Sequence, residues 1–124
     1  MSDIKTANFS VAGAGGFQSL DLVELYVGAV VGLANSLVAV RVPVTVRFTA
    51  KDAYGSVRGT KDFEYKTGVF PFLQKLQKVS FENDVGFRGA YTIEIELVGE
   101  DLEDLVVGLV AFLGIDDIKV NLYR

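Results

Sequence analysis

The stretch Ser19-Leu20-Asp21-Leu22-Val23-Glu24-Leu25-Tyr26-Val27-Gly28-Ala29-Val30-Val31-Gly32-Leu33-Ala34-Asn35-Ser36-Leu37-Val38-Ala39-Val40 decides how this chain is read. Ser19 is a good helix N-cap, and Asp21 and Glu24 follow in the first turns, where a helix dipole favours acids. At about 100° per residue, Asp21, Glu24, Gly28, Gly32, Asn35, Ser36 and Ala39 fall on one narrow stripe. The remaining positions are almost all Leu, Val, Ala or Tyr. The pattern predicts a helix over 20–40, ended by Pro43 and apolar over more than half its circumference. Gly28 and Gly32 have the G-x-x-x-G spacing that lets two helix backbones approach closely. With Val31, Leu33 and Asn35 they make a candidate interface.

Outward from this stretch the chain alternates. On the N-terminal side, residues 4–11 read as a strand with Ala7, Phe9 and Val11 on one face, followed by the connector Gly13-Ala14-Gly15-Gly16. On the C-terminal side, Val42, Val44, Val46, Phe48 and Ala50 alternate with Pro43, Thr45, Arg47, Thr49 and Lys51, a strand with one buried and one wet face. Asp52-Ala53-Tyr54-Gly55 is a turn, and residues 57–66 return with Phe63 and Tyr65 inward, completing a hairpin. Val79 and Phe81 mark a short strand before the Asn83-Asp84 turn. Residues 86–98 read as a longer one with Tyr91, Ile93, Ile95 and Leu97 on one face and a bulge at Gly86 and Gly89. A second helix is predicted over 100–114, with Leu102, Leu105, Val106, Leu109, Phe112 and Leu113 on its apolar face and Gly114 as its C-cap. Ile118, Val120 and Leu122 form a last strand.

This order predicts one α+β domain over residues 1–124. The expected architecture is a two-layer sandwich with a mixed, mostly antiparallel sheet and two helices on one face. It consists of ferredoxin-like split β-α-β halves with an inserted β-hairpin.

Composition limits the function more sharply than any motif. The chain has no Cys, His or Trp, which removes thiolate chemistry, the usual general base and the commonest transition-metal ligands. No catalytic constellation is recognisable, and no catalytic residue, metal site or cofactor is assigned. The formal charge of −4, with Lys and Arg scattered singly, gives no footprint for nucleic acid. The apolar run from Leu25 to Val40 is 16 residues and contains Asn35 and Ser36, short of the roughly 20 of a membrane helix. Met1-Ser2-Asp3-Ile4-Lys5 lacks a basic signal region, so a cytoplasmic location is expected. Glu94, Glu96, Glu100, Asp101, Glu103 and Asp104 read as a solvated acidic rim.

Two functions follow. Apolar residues make up 50% of the chain before its 13 glycines are counted, above the roughly 45–50% reached by apolar residues and glycine together in ordinary soluble domains. That excess, with the wide apolar arc, points to a non-enzymatic, self-associating structural or assembly protein: a subunit of a homo-oligomer, particle or filament. The alternative is a small-ligand-binding domain with an apolar pocket walled by Phe48, Phe63, Tyr65 and Tyr91, entered past the loop Gly13, Gly15 and Gly16.

Overall fold

The structure, a computed structural model, describes residues 6–12, 15–33, 44–65, 76–98 and 109–124. Seven strands follow one another: β1 (Thr6–Ser10), β2 (Ser19–Leu33), β3 (Val44–Lys51), β4 (Val57–Tyr65), β5 (Gln77–Ser80), β6 (Thr92–Val98) and β7 (Leu109–Tyr123). A 3-10 turn, Val85–Phe87, lies between β5 and β6. Four strands form one sheet in the order β1-β6-β3-β4, and three form another in the order β5-β2-β7. Every strand pair is antiparallel.

β3 explains the four-stranded sheet. Val46, Phe48 and Ala50 are fully buried, while Thr45, Arg47, Thr49 and Lys51 stand on the other face, as strict alternation requires. In β6, Ile93, Ile95 and Leu97 repeat the same pattern beside it. On the wet face, the register sets Thr6, Glu96, Arg47 and Asp62 in one row across four strands. Arg47 grips Asp62 with two hydrogen bonds, Nε to Oδ1 at 2.9 Å and Nη2 to Oδ2 at 3.1 Å. One row further, Lys51 Nζ meets Glu94 Oε1 at 3.0 Å. Asp62 and Glu94 on this face are each held by a cation of the neighbouring strand.

The core joins the two sheets. Leu20, Leu22, Leu25 and Val27 of β2 and Val79 of β5 belong to the same buried cluster as the inner residues of β3 and β6. Phe81 and Phe87 close it from the connection that carries the 3-10 turn. Phe48 meets Phe81 edge-on at 5.0 Å, and Phe81 meets Phe87 at 4.8 Å. Burying each such ring contributes roughly 1.5–3 kcal/mol. Backbone hydrogen bonds stitch the sheets together at one corner. Leu20 and Ala90 exchange two bonds of 2.8 Å, while Tyr91 donates to Lys51 O and accepts from Val11.

The α+β expectation is overturned: among the described residues there is no α-helix. The predicted helix over 20–40 is, through Leu33, the long strand β2, and its remainder lies outside the described residues. The predicted helix over 100–114 is strand from Leu109 onward, with 100–108 outside them. The ferredoxin-like β-α-β halves go with the helices. At Gly86 and Gly89 the structure has the 3-10 turn and a left-handed residue, φ 66 at Gly89, in place of the expected bulge.

The misreading has a physical cause. The buried residues of β2 are Leu20, Leu22, Leu25 and Val27, so the alternation changes phase between Leu22 and Leu25. The register against β7 shifts at that point, leaving Val23 as the extra residue of a bulge. The Val23 carbonyl, freed from the ladder, accepts the Phe81 N–H at 2.9 Å. A bulge turns a period of two into spacings of two, three and two, which resemble one face of a helix.

Candidate functional site

β2 and β7 pair over their whole length, from Ser19↔Tyr123 to Leu33↔Leu109. β5 accompanies β2 only along Glu24–Val27. Beyond that point, Gly28–Leu33 and Leu109–Gly114 form a two-stranded ribbon among the described residues. Val27, the last residue of β2 that β5 accompanies, is buried in the core. Directly paired residues share a face. The register pairs Gly28 with Gly114, Val30 with Phe112 and Gly32 with Val110. Neither face of the ribbon has a polar residue.

The candidate interface of the sequence reading lies on this ribbon in changed form. Gly28, Val31, Gly32 and Leu33 lie on strand β2, and Asn35 lies outside the described residues. Gly28 pairs with Gly114 and Gly32 with Val110, so no close helix–helix approach is involved. A Cβ on Gly28 would come within 2.9 Å of the Leu76 side chain, which lies over this position.

The ribbon ends at a second irregularity. Between Glu24 and Tyr26 of β2, the partner strand runs from Lys119 to Asp116, leaving Asp117 and Ile118 opposite Leu25 alone. Asp117 has φ 50, the one positive φ outside glycine among the described residues, and its N–H bonds Asp116 Oδ1 at 2.8 Å. Past this bulge β7 is exposed, with Ile118, Leu122 and Tyr123 more than two-fifths accessible. Tyr123 donates its hydroxyl to Asp21 Oδ2 at 2.9 Å, while Asp21 Oδ1 accepts the Gly89 N–H at 2.8 Å. That bond, and the carboxylate charge behind it, raise the Tyr123 pKa above the ordinary phenol value. On the other sheet, the hydrogen bond from Arg47 holds the Asp62 carboxyl below its usual range.

The remaining candidates separate. Gly15 (φ 65) and Gly16 (φ 88) form a left-handed turn between β1 and β2, and Gly13 lies outside the described residues. The chain leaves this turn into strand β2 at Ser19. Of the proposed pocket walls, Phe48 is packed against Phe81, Phe63 and Tyr91 are half-buried against the core, and the Tyr65 side chain is outside the description. Among the described residues, one surface groove lies beside Asp21, Phe81, Glu82 and Arg88, and another along Thr6, Asn8, Glu94 and Glu96. Glu94 is engaged by Lys51. Among the described residues, no group of three or more acids stands where it could hold a metal ion, and no helix is long and apolar enough to cross a membrane.

The sequence reading did not single out Asp116-Asp117 or the strand half Leu109–Ile115. A signal was present: residues 105–115 contain no polar side chain and stop abruptly at two aspartates. Comparison of the chain with protein families, characterised proteins and solved structures finds no match.

Proposed function

We propose that this chain is a non-enzymatic, self-associating assembly protein, one subunit of a homo-oligomer, particle or filament. The observation that carries this is the β2–β7 ribbon itself, in which Gly28–Leu33 pairs with Leu109–Gly114 and neither strand has a polar residue at any position. A half-buried antiparallel sheet ordinarily alternates apolar and polar residues, as β3 does in this same molecule. A paired ribbon that is apolar at every position calls for more cover than one neighbouring sheet gives. A second copy provides it, since identical patches are self-complementary about a two-fold axis.

The absence of Cys and His from the chain favours a role in which surfaces do the work. Sedimentation velocity of the untagged protein across a wide concentration range tests the proposal. A weight-average mass that rises above 13.4 kDa as concentration increases, or a stable discrete oligomer, is expected. A monomer at tens of micromolar overturns it.

A further inference from the structure

We infer that two copies join edge to edge by antiparallel pairing of the Leu109–Ile115 half of β7, and that the Asp116–Asp117 bulge ends this pairing. The inference rests on the self-association proposed above and names the surface and its occupant.

Four strands stand at sheet edges, and they differ in how they are protected. β1 and β5 are short, with five and four residues. β4 is overlaid by the connection that carries the 3-10 turn: Lys61 holds Asp84 at 2.7 Å, Gly86 packs against the backbone of Arg58 and Gly59, and Arg58 Nη2 donates to Arg88 O at 2.8 Å. β7 is different. It runs for 15 residues, and among the described residues its only neighbour is β2. Every second residue of such an edge presents an N–H and a C=O with no strand to receive them.

Proteins commonly guard an open edge with charges and bulges, and β7 has both in one half only. Asp116, Asp117 and Lys119 cluster at the bulge, where the left-handed Asp117 breaks the line of the strand. From Ile115 back to Leu109 the register with β2 is unbroken and there is no charge, proline or bulge. Backbone groups set among apolar side chains are costly to leave unpaired. The same segment of another copy, running antiparallel, supplies the missing partners with no like charges opposed. The paired segment is seven residues, about 24 Å long at the usual strand rise. Among the described residues, no strand lies on the other side of β7 along this segment. Pairing there joins two three-stranded sheets into one six-stranded sheet whose apolar ribbons lie side by side.

The chain contains no cysteine, so single cysteines report the geometry directly. In an antiparallel pair about a two-fold axis, one position near the middle of the segment faces its own copy. Val110→Cys, Ala111→Cys, Phe112→Cys and Leu113→Cys are compared under a mild thiol oxidant with Tyr54→Cys, whose site at the β3–β4 turn is 94% exposed and reports random collision. Juxtaposed thiols see an effective concentration near the millimolar range. At micromolar protein, disulfide dimers at the best of the four positions form on the order of a hundredfold faster than at the control. Hydrogen exchange on the unmodified protein is the second readout: protection of amides in 109–115 falls on dilution, while that in 118–123 does not change. If the protein associates but no position outruns Tyr54→Cys and the amides ignore dilution, edge pairing is wrong and self-association stands. If it is monomeric, both fall together.

Discussion

Replacing Gly86 by Ala tests how closely the 3-10 turn lies on β4. A Cβ at this position would sit 2.8 Å from the Arg58 carbonyl oxygen and 2.9 Å from Gly59 Cα. Both obstacles are backbone, so no side chain can swing aside. Ordinary van der Waals contact begins near 3.4 Å, and the turn must lift by about half an ångström to restore it. Gly86 does not have positive φ, so alanine meets no conformational objection and the whole cost is steric. Insertion of a methyl group into a packed contact costs about 1–3 kcal/mol. Here the upper half of that range is expected, because lifting the turn also strains the Lys61–Asp84 pair and the Arg58–Arg88 hydrogen bond. Against a total stability of about 5–15 kcal/mol, that is a visible fraction. The assay is guanidinium unfolding at one fixed protein concentration, since association makes apparent stability depend on concentration. Amide exchange gives the local readout: Phe87 and Arg88, whose N–H groups close the turn on Asp84 and Val85, lose more protection than the centre of β3. A folded Gly86→Ala protein within about 0.5 kcal/mol of the parent refutes the close packing, since that is the range of an inconsequential surface change.

Three further outcomes are expected. Asp62 has a depressed folded-state pKa, so its contribution to stability is present above the unfolded carboxylate value and lost as pH falls through the folded one. The denaturation midpoints of parent and Asp62→Asn therefore converge on acidification, and in Arg47→Gln the Asp62 carboxyl titrates closer to the ordinary value by NMR. Tyr123 has a raised pKa, so its contribution is complete below the unfolded phenol value and lost as pH climbs through the folded one. Ultraviolet titration should place its ionisation above that of a free phenol in the parent and return it towards that value in Asp21→Asn. The double substitution Asp116→Ser, Asp117→Gly keeps a residue suited to φ 50 while removing two charges; light scattering should show stronger association, and an unchanged mass distribution counts against a guarding role.

How much of the fold was legible depended on whether a strand kept its phase. β3, β4 and β6 are unbroken over their cores, and their inward residues Val46, Phe48, Phe63, Ile93, Ile95 and Leu97 were found by alternation alone. The hairpin turn was legible because Asp52 is chemically suited to it: its Oδ1 accepts the N–H groups of Tyr54 and Ser56. β2 was not legible as a strand because its bulge at Val23 places acids at Asp21 and Glu24, three apart, where a helix would also place them. A counter-signal existed in the β-branched valines at 23, 27, 30 and 31, which favour strands. The same bias in Val110 and Ile115 bears on the second missed strand. Composition of the segment would have outweighed its spacing.

The candidate surface behaved differently from the element that carries it. Gly28, Val31, Gly32, Leu33 and Asn35 were singled out for G-x-x-x-G spacing on an apolar helix; the helix is gone, and what does not depend on period is the apolar composition of the segment through Leu33. What changes is the surface that the residues make. On a helix, an apolar arc over half the circumference can be shared between a sheet and a neighbour. On a two-stranded ribbon successive residues are divided between two faces, and the ribbon sequence has no polar residue to give to either. A ribbon of this kind has two faces and an open edge, and water satisfies only the edge. Covering a face without pairing the edge leaves backbone groups unpaired among apolar side chains; pairing the edge without covering a face leaves that face wet. Joining two ribbons at β7 pairs the edge and brings two such faces together, giving a surface wide enough to receive another subunit. That coupling connects a dimer to a growing assembly, and it predicts that variants blocking the β7 edge lose the larger species together with the dimer.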